Sequence, residues 1–404
     1  VFTAPQSLDF GRFEIAARRA RFRAHGLFTR VVYGRDVNSG RSLAGAAFAV
    51  ALATSIAVPA AGAEPATPRT LLTTKAPIRA FAQDSSRVAW VARKWHVDAR
   101  KLGPKAKTFL VGTAHPYIGG NEAVTPQLAL AGSRVAWTRN GGGNDFETAV
   151  FVREAGAKTK ARIVFNTAAD REERTGSYFG ELAAGSSTLA FTTVDYECVD
   201  PNDCSKLAAH PSRIDGAFRV IGTSKTAQVP NAPGSLELSV SAGRVALLRA
   251  PQLLSPTEIA DVSSPSLARP AATVEIRNAT TGDLISAFTP PGTVKALALT
   301  GSVAAVIDDL GDGTRQIERY DATTGALLGT TGNIAVGSTL SAAGATFVYA
   351  VAGEKIEAMN ATTGALQVLA VSPAPPIGLS IAGKRVAWAV NAHGQGRVLA
   401  LTLP

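Results

Sequence analysis

The sequence predicts an all-β fold, a seven-bladed β-propeller of four-stranded blades closed by an N-terminal strand in the last blade. Three observations predict it. Arg-Val-Ala-Trp occurs at Arg87–Trp90, Arg134–Trp137 and Arg385–Trp388, with looser copies at Thr188–Phe191, Arg244–Leu247, Ser302–Ala305 and Thr346–Tyr349. Seven copies of one short apolar strand indicate a repeat architecture rather than a chain of unrelated domains. The region from Glu64 to Pro404 then divides into units of about 49 residues, the size of a four-stranded blade. Finally, the last unit supplies only three strands, and Thr70-Leu71-Leu72-Thr73-Thr74 stands spare ahead of the first unit at Pro77-Ile78-Arg79. Joining the two chain ends would remove an open sheet edge.

Within each unit the elements follow in order. A short apolar strand such as Gln127–Ala131 leads through a small-residue turn (Gly132-Ser133) into the repeated strand. The repeated strand is apolar without alternation, as expected of a strand with a neighbouring blade on each face. Trp90, Trp137, Phe191, Tyr349 and Trp388 are therefore read as wedges between blades rather than ligand platforms. A polar connection and a third strand follow. Three third strands end in Asn278-Ala-Thr-Thr-Gly282, Asp321-Ala-Thr-Thr-Gly325 and Asn360-Ala-Thr-Thr-Gly364. There the Asn or Asp side chain caps the turn and Gly supplies positive φ; this accounts for Asn278 and Asn360 better than their sequon pattern does, because Asp321 fills the third copy.

Residues 1–63 read as lying outside the fold. Ser42–Ala63 is an Ala-rich apolar run, broken by Pro59, that ends in Ala61-Gly62-Ala63, with Arg35 and Arg41 ahead of it. We expect a Sec-type signal peptide over 41–63, with a signal anchor as the alternative, and a gene-model extension or disordered leader over 1–40. The propeller is assigned to 64–404. Half of the formal charge of +10 belongs to residues 1–63, where eight Arg face three carboxylates. The remainder shows no basic stripe, so no nucleic-acid partner is expected. Cys198 and Cys204 are the two cysteines, and in an exported protein so close a pair reads as a disulfide stapling a loop, with free or metal-binding thiols as the alternative.

Gly132-Ser133-Arg134-Val135-Ala136-Trp137 with Ala149–Arg153 resembles the repeats of TolB-like propellers, and the Ala-Thr-Thr-Gly turns resemble those of quinoprotein-like propellers. The resemblance covers 77–404 at repeat level and implies architecture rather than chemistry. Thr281-Gly282, Thr324-Gly325 and Thr363-Gly364 lack the Trp that follows in quinoprotein repeats, so no quinone or other cofactor is expected.

Connections from second to third strands and from blade to blade share one face of a propeller, and the long polar segments of this chain fall there. They are Trp95–Arg100, Asn140–Glu147, Asp195–Lys206, Pro251–Pro265, Asp308–Gly313 and Asn391–Gly396, with Ala114–Glu122 and Asp170–Arg174 between blades. The candidate ligand-face residues are His96, Asp98, His115, Asn140, Asp145, Asp195, Asp309 and His393. Asp308, Asp309 and Asp312 offer oxygen ligands for calcium, but without EF-hand spacing a solvated turn is the preferred reading, and no metal is expected. Neither a Gly-x-Ser-x-Gly elbow nor a His-Glu-x-x-His helix occurs. The expectation is a monomeric, non-catalytic propeller, secreted or in the periplasm or cell envelope, binding a protein or glycan partner through this face. Membrane contact is expected only through an uncleaved signal segment. The alternative is a hydrolase or lyase acting on polysaccharide or peptide.

Overall fold

The computed structural model describes residues 66–116, 125–141, 145–170, 175–185, 187–200, 203–209, 217–222, 225–230, 235, 237–249, 253–254, 272–332, 334, 339–351 and 354–403. The readings made for residues 1–65, for 117–122, for 171–174 and for most of Pro251–Pro265 lie outside the described residues. The chain forms seven antiparallel sheets. Blade 1 is β2 (Ala80–Gln83), β3 (Arg87–Val91), β4 (His96–Lys101) and β5 (Thr108–Thr113); blade 2 is β6 (Leu128–Ala131), β7 (Arg134–Gly141), β8 (Asp145–Glu154) and β9 (Arg162–Asp170). Blade 3 contains β10 (Thr175–Ala184), β11 (Leu189–Asp200), β13 (Ala217–Ile221) and β14 (Thr226–Gln228), with β12 (Asp203–Ala209) added beside β11. Blade 4 is β15 (Glu237–Ser241), β16 (Arg244–Leu248), β18 (Val274–Asn278) and β19 (Leu284–Phe288), and β17 (Leu253–Leu254) leaves it to pair with β12. Blade 5 is β20 (Thr293–Leu299) to β23 (Leu327–Gly332), with β21 at Val303–Asp309 and β22 at Arg315–Asp321. Blade 6 is β24 (Leu340–Ala343), β25 (Thr346–Ala350), β26 (Lys355–Asn360) and β27 (Leu366–Val371). Blade 7 is β28 (Ile377–Ala382), β29 (Arg385–Ala392) and β30 (Gln395–Thr402), completed by β1 (Arg69–Thr74), which pairs with β30.

All seven repeated strands are second strands, and the spare N-terminal strand closes the ring as the sequence predicts. One register needs correction. Arg244 lies opposite Asn278 and Thr346 opposite Asn360, so the residue facing Asp321, Val303, begins the blade 5 copy. The repeat there is Val303-Ala304-Ala305-Val306, one residue later than the sequence alignment placed it. A slip of one residue exchanges the two faces of a strand, so the correction decides which neighbour each side chain meets.

With that register the packing rule is uniform. The fourth repeat residue points at the preceding blade and packs in one cluster with that blade's small third residue: Trp137 with Ala89, Phe191 with Ala136, Leu247 with Ala190, Val306 with Ala246, Tyr349 with Ala305, Trp388 with Val348, and Trp90 with Ala387. Each sheet-to-sheet interface thus sets a larger side chain against a smaller one, Ala at six of the third positions and Val348 at the seventh. Two buried indole N–H groups are satisfied: Trp137 donates to the Thr113 carbonyl (3.0 Å) and Trp388 to Ser372 Oγ (3.0 Å).

Hydrogen bonds between blades form two belts. On the innermost strands, Gln83 Nε2 donates to the Ser380 carbonyl, Gln127 Oε1 accepts from Leu182 N–H, Glu181 Oε2 from Leu238 N–H, Ser239 Oγ from Leu299 N–H and Ser341 Oγ from Ile381 N–H. Two of these contacts fall at bulges in β10 and β28, where the ladder is interrupted and a side chain substitutes for it. At the face bearing the tight turns, the repeat arginine reaches into the next blade's turns. Arg87 donates to the Gly132 carbonyl, Arg134 to those of Ser187 and Ile221, Arg244 to Thr323 Oγ1, and Arg385 to those of Asp84 and Ser85. The closing seam adds Asn391, whose amide accepts from Ile78 N–H (2.8 Å) and donates to the Ile78 carbonyl (2.9 Å). In the three Thr-Thr-Gly turns, Asn278, Asp321 and Asn360 each accept two backbone N–H groups through Oδ1.

Two expectations follow for stability. A Cβ at Gly112 would stand 2.3 Å from Trp137 Cζ2, so Gly112→Ala must displace a buried indole; a loss of about 1–3 kcal/mol is expected in urea unfolding, with altered tryptophan emission. Asn391→Ala leaves two backbone groups of Ile78 without their partner and should cost about 1–3 kcal/mol by the same measurement.

Candidate functional site

The second-to-third connections and the blade-to-blade connections lie on one face, here called the top. The expected residues are on it or near it, but several stand on strands rather than loops. His96 and Asp98 belong to β4, Asn140 to β7 and Asp145 to β8. Asp195 and Cys198 belong to β11 and Cys204 to β12, so the cysteines lie on two paired strands of a hairpin and not in a loop. The reason is strand extension: the polar segments of blades 2 and 3 continue the ladder instead of leaving it. His393 occupies a tight turn between β29 and β30, with positive φ at His393 (51°) and Gly394 (74°), in place of the expected long connection.

Blades 2 and 3 make the top face uneven. The second strands β3, β16 and β25 have five residues each, whereas β11 has twelve and β8 and β10 have ten. The part of β11 beyond Thr193, where pairing with β13 ends, adds roughly 20 Å of strand. It pairs with β10 on one side and β12 on the other. β17 then joins β12 through Leu207–Leu254 and Ala208–Leu253. The extension is therefore tied to blade 4 as well as blade 3. Asp145, Glu147, Asp170, Asp195, Glu197, Asp200 and Asp203 are all carried on the upper parts of these strands.

The top of blade 1 holds a second group. Lys94 (φ 55°) and Trp95 (φ 59°) are consecutive non-glycine residues in the left-handed region, a conformation that costs energy, and the half-buried Trp95 ring packs against the core cluster between blades 1 and 2. Arg79 lies over that ring at 4.0 Å from its centroid, and His115 meets it edge-on at 6.4 Å. His115 Nδ1 is 2.8 Å from the Pro116 carbonyl. Burial raises the Asp98 carboxyl above its ordinary range, opposed by the nearby His96. Sequence reasoning placed Trp95 on this face within Trp95–Arg100 without singling it out, and it missed Arg79. Asn140 Oδ1 is buried without a hydrogen-bond partner. Among the described residues, no histidine forms a hydrogen bond or ion pair with a carboxylate, and no three His, Cys, Asp or Glu side chains are placed to hold a metal ion.

The aspartates of blade 5 do not converge. Asp309 accepts from Arg315 Nε (3.0 Å) and Gly311 N–H, and Asp312 accepts from Thr314 N–H and Oγ1. Asp308 points instead into the interface with blade 4. It is fully buried, with Oδ2 accepting from Gly292 N–H (3.0 Å) and Oδ1 unpartnered. Glu318, also buried, accepts from Gln316 Nε2 (2.7 Å) and from the Tyr320 hydroxyl, and Tyr320 stacks on Phe288 at 3.8 Å.

Burial raises Asp308 to about 6, partly offset by the Gly292 hydrogen bond and reinforced by Glu318 and Asp309. The folded state then holds a proton that the unfolded state releases near 3.8, so this group's contribution to stability falls as pH rises from about 4 to about 6. Asp308→Asn should remove that loss, raising stability at pH 7 by up to about 3 kcal/mol and leaving it little changed below pH 4; urea unfolding across that range measures it.

No family model matches the chain, and no curated protein matches it. Several solved structures are similar in fold. The WD40 β-propeller domain of Doa1 shows 11% identity over 82% of this chain and 96% of that one, with a TM-score of 0.46. BamB from Moraxella catarrhalis shows 13% identity over 80% and 85%, at 0.42. The computationally designed Ika8 protein shows 14% over 80% and 83%, at 0.46. These likenesses concern the fold alone, and the propeller architecture rests on the sheets themselves.

Proposed function

We propose that the chain is a secreted or envelope-associated propeller that binds a protein or glycan partner through its top face without performing chemistry on it. One observation carries the reading: the strand extension of blades 2 and 3, braced by β17, rises on the face opposite the short turns. A braced sheet presents a surface whose ordering cost is already met on folding, which favours association. The Arg79, Trp95 and His115 group adds a rigid aromatic anchor of the kind that dominates recognition. Among the described residues none of His96, His115 and His393 bonds to a carboxylate, so no oriented His–carboxylate pair supports the hydrolase or lyase alternative. Export through residues 41–63 and a Cys198–Cys204 disulfide belong to the same proposal, supported by the apolar run ending in Ala61-Gly62-Ala63 and by the two cysteines lying on adjacent strands. The repeat likeness to TolB-like and quinoprotein-like propellers is consistent with it but selects no ligand.

The test uses the intact protein as bait against the envelope fraction of its source cells and against a glycan panel. A variant with residues 196–207 replaced by a Gly-Ser turn, and Trp95→Ala, should each lose capture about tenfold or more, while Lys158→Gln in an opposite-face turn retains it. Equal capture by all variants would refute the assignment of the face. N-terminal sequencing of exported protein should find a start close to Glu64.

A further inference from the structure

The closing seam between blades 7 and 1 opens, toward the turn-bearing face, into a cleft of about 370 Å³. Arg69–Leu72 of β1 line one side; Val88 and Arg100–Pro104 of blade 1 line the other. Three cations stand in it, Arg69, Arg100 and Lys101, and no carboxylate lines it. Among the described residues none of the three cationic groups has a hydrogen bond or ion pair. That separates them from Arg87, Arg134, Arg153, Arg162, Arg319 and Arg385, whose guanidinium groups donate to carbonyls. Arg100 is half-buried as a residue, and its guanidinium carries five N–H donors available to an anion.

Carboxylates stand near the cleft but do not line it. Asp98 stands two residues from Arg100 on the same face of β4, yet the charge that acts on its carboxyl is His96. Across the seam, burial lowers Arg385, Asp84 opposes that shift, and the positive charge of Arg69 adds to it.

We propose that this cleft binds a small divalent oxyanion, phosphate or sulfate, either free or as the terminal ester of a sugar, held by Arg69 from β1 and by Arg100 and Lys101 from blade 1. Planar guanidinium forks bind tetrahedral oxyanions bidentately, and a lysine adds a point charge. Such a ligand bridges the first strand of the fold to the first complete blade, so it would fasten the ring where the two chain ends meet. A ligand that binds only the folded state stabilises it in proportion to occupancy. The site lies on the face opposite the proposed partner surface and is independent of that reading.

Calorimetry and thermal unfolding of the full chain, titrated with sodium phosphate, sodium sulfate or a hexose phosphate at constant ionic strength set by chloride, test it. Saturable binding of an oxyanion and a rising Tm are expected in the wild type, together with slower hydrogen exchange in β1. Tighter binding of the hexose phosphate than of inorganic phosphate identifies the ester as the ligand; equal binding identifies the free ion. Arg100→Gln and the exposed pair Arg69→Gln with Lys101→Gln should each weaken binding about tenfold or more, and Lys158→Gln should not. Absence of saturable binding up to about 10 mM of every oxyanion, or equal binding by all variants, overturns the proposal.

Discussion

Packing of unlike side chains between neighbouring sheets is the constraint on which the rest of the molecule depends. Each blade buries both faces of its second strand, so no blade has a core of its own. The interior is instead seven interfaces, each filled by a large fourth residue set against a small third residue of the preceding blade. Such an arrangement is stable only when every interface is present, because a missing one exposes two apolar faces at once. Closure is therefore part of the core. β1 supplies the outer strand of blade 7, Leu72 enters the cluster around Trp90, and Asn391 binds both backbone groups of Ile78 across the seam.

Apolar wedges fix the spacing between sheets but not their vertical position, since such contacts are non-directional. Directional bonds supply that information at two heights. Side chains of the inner strands bond to the backbone of neighbouring inner strands, partly at bulges that free those backbone groups. The repeat arginines bond to turns at the lower edge. The first residue of the repeat is thus as structural as its tryptophan: its aliphatic stem leaves the second strand and its guanidinium reads carbonyl positions in the next blade.

Those features were unequally legible in the sequence. The strand copies, the Thr-Thr-Gly turns and the closing strand were readable because each rests on local chemistry: an unbroken apolar run, an Asx cap before glycine, an odd strand count. The register of blade 5 was not readable. Ser302-Val303-Ala304-Ala305 matches the motif as well as Val303-Ala304-Ala305-Val306 does, and only pairing with Asp321 separates them. The partners of the repeat arginines were hidden for a related reason, since they are backbone carbonyls, which leave no trace in side-chain identity. At the candidate face, His96, Asp98 and Asp145 were placed in connections because polar residues suggest loops. A polar strand that projects past the core looks the same in one dimension, and its pairing partner, not its composition, makes it a strand.

That projection bears on what the molecule is built to do. A ring of blades needs only short turns at both ends, and the lower face has them. The upper parts of β8, β10 and β11 are held by ladder hydrogen bonds and by strands brought to them. β12 and β17 are such strands, and β17 comes from the neighbouring blade. Ladder bonds alone contribute modestly in water, so an extension of this kind gains little for the stability of the ring. A second blade bracing it does something different: it holds the extension at a fixed angle above a rigid scaffold. Fixed placement suits a surface offered to something outside the molecule, and the proposed partner surface rests on these braced strands rather than on the histidines.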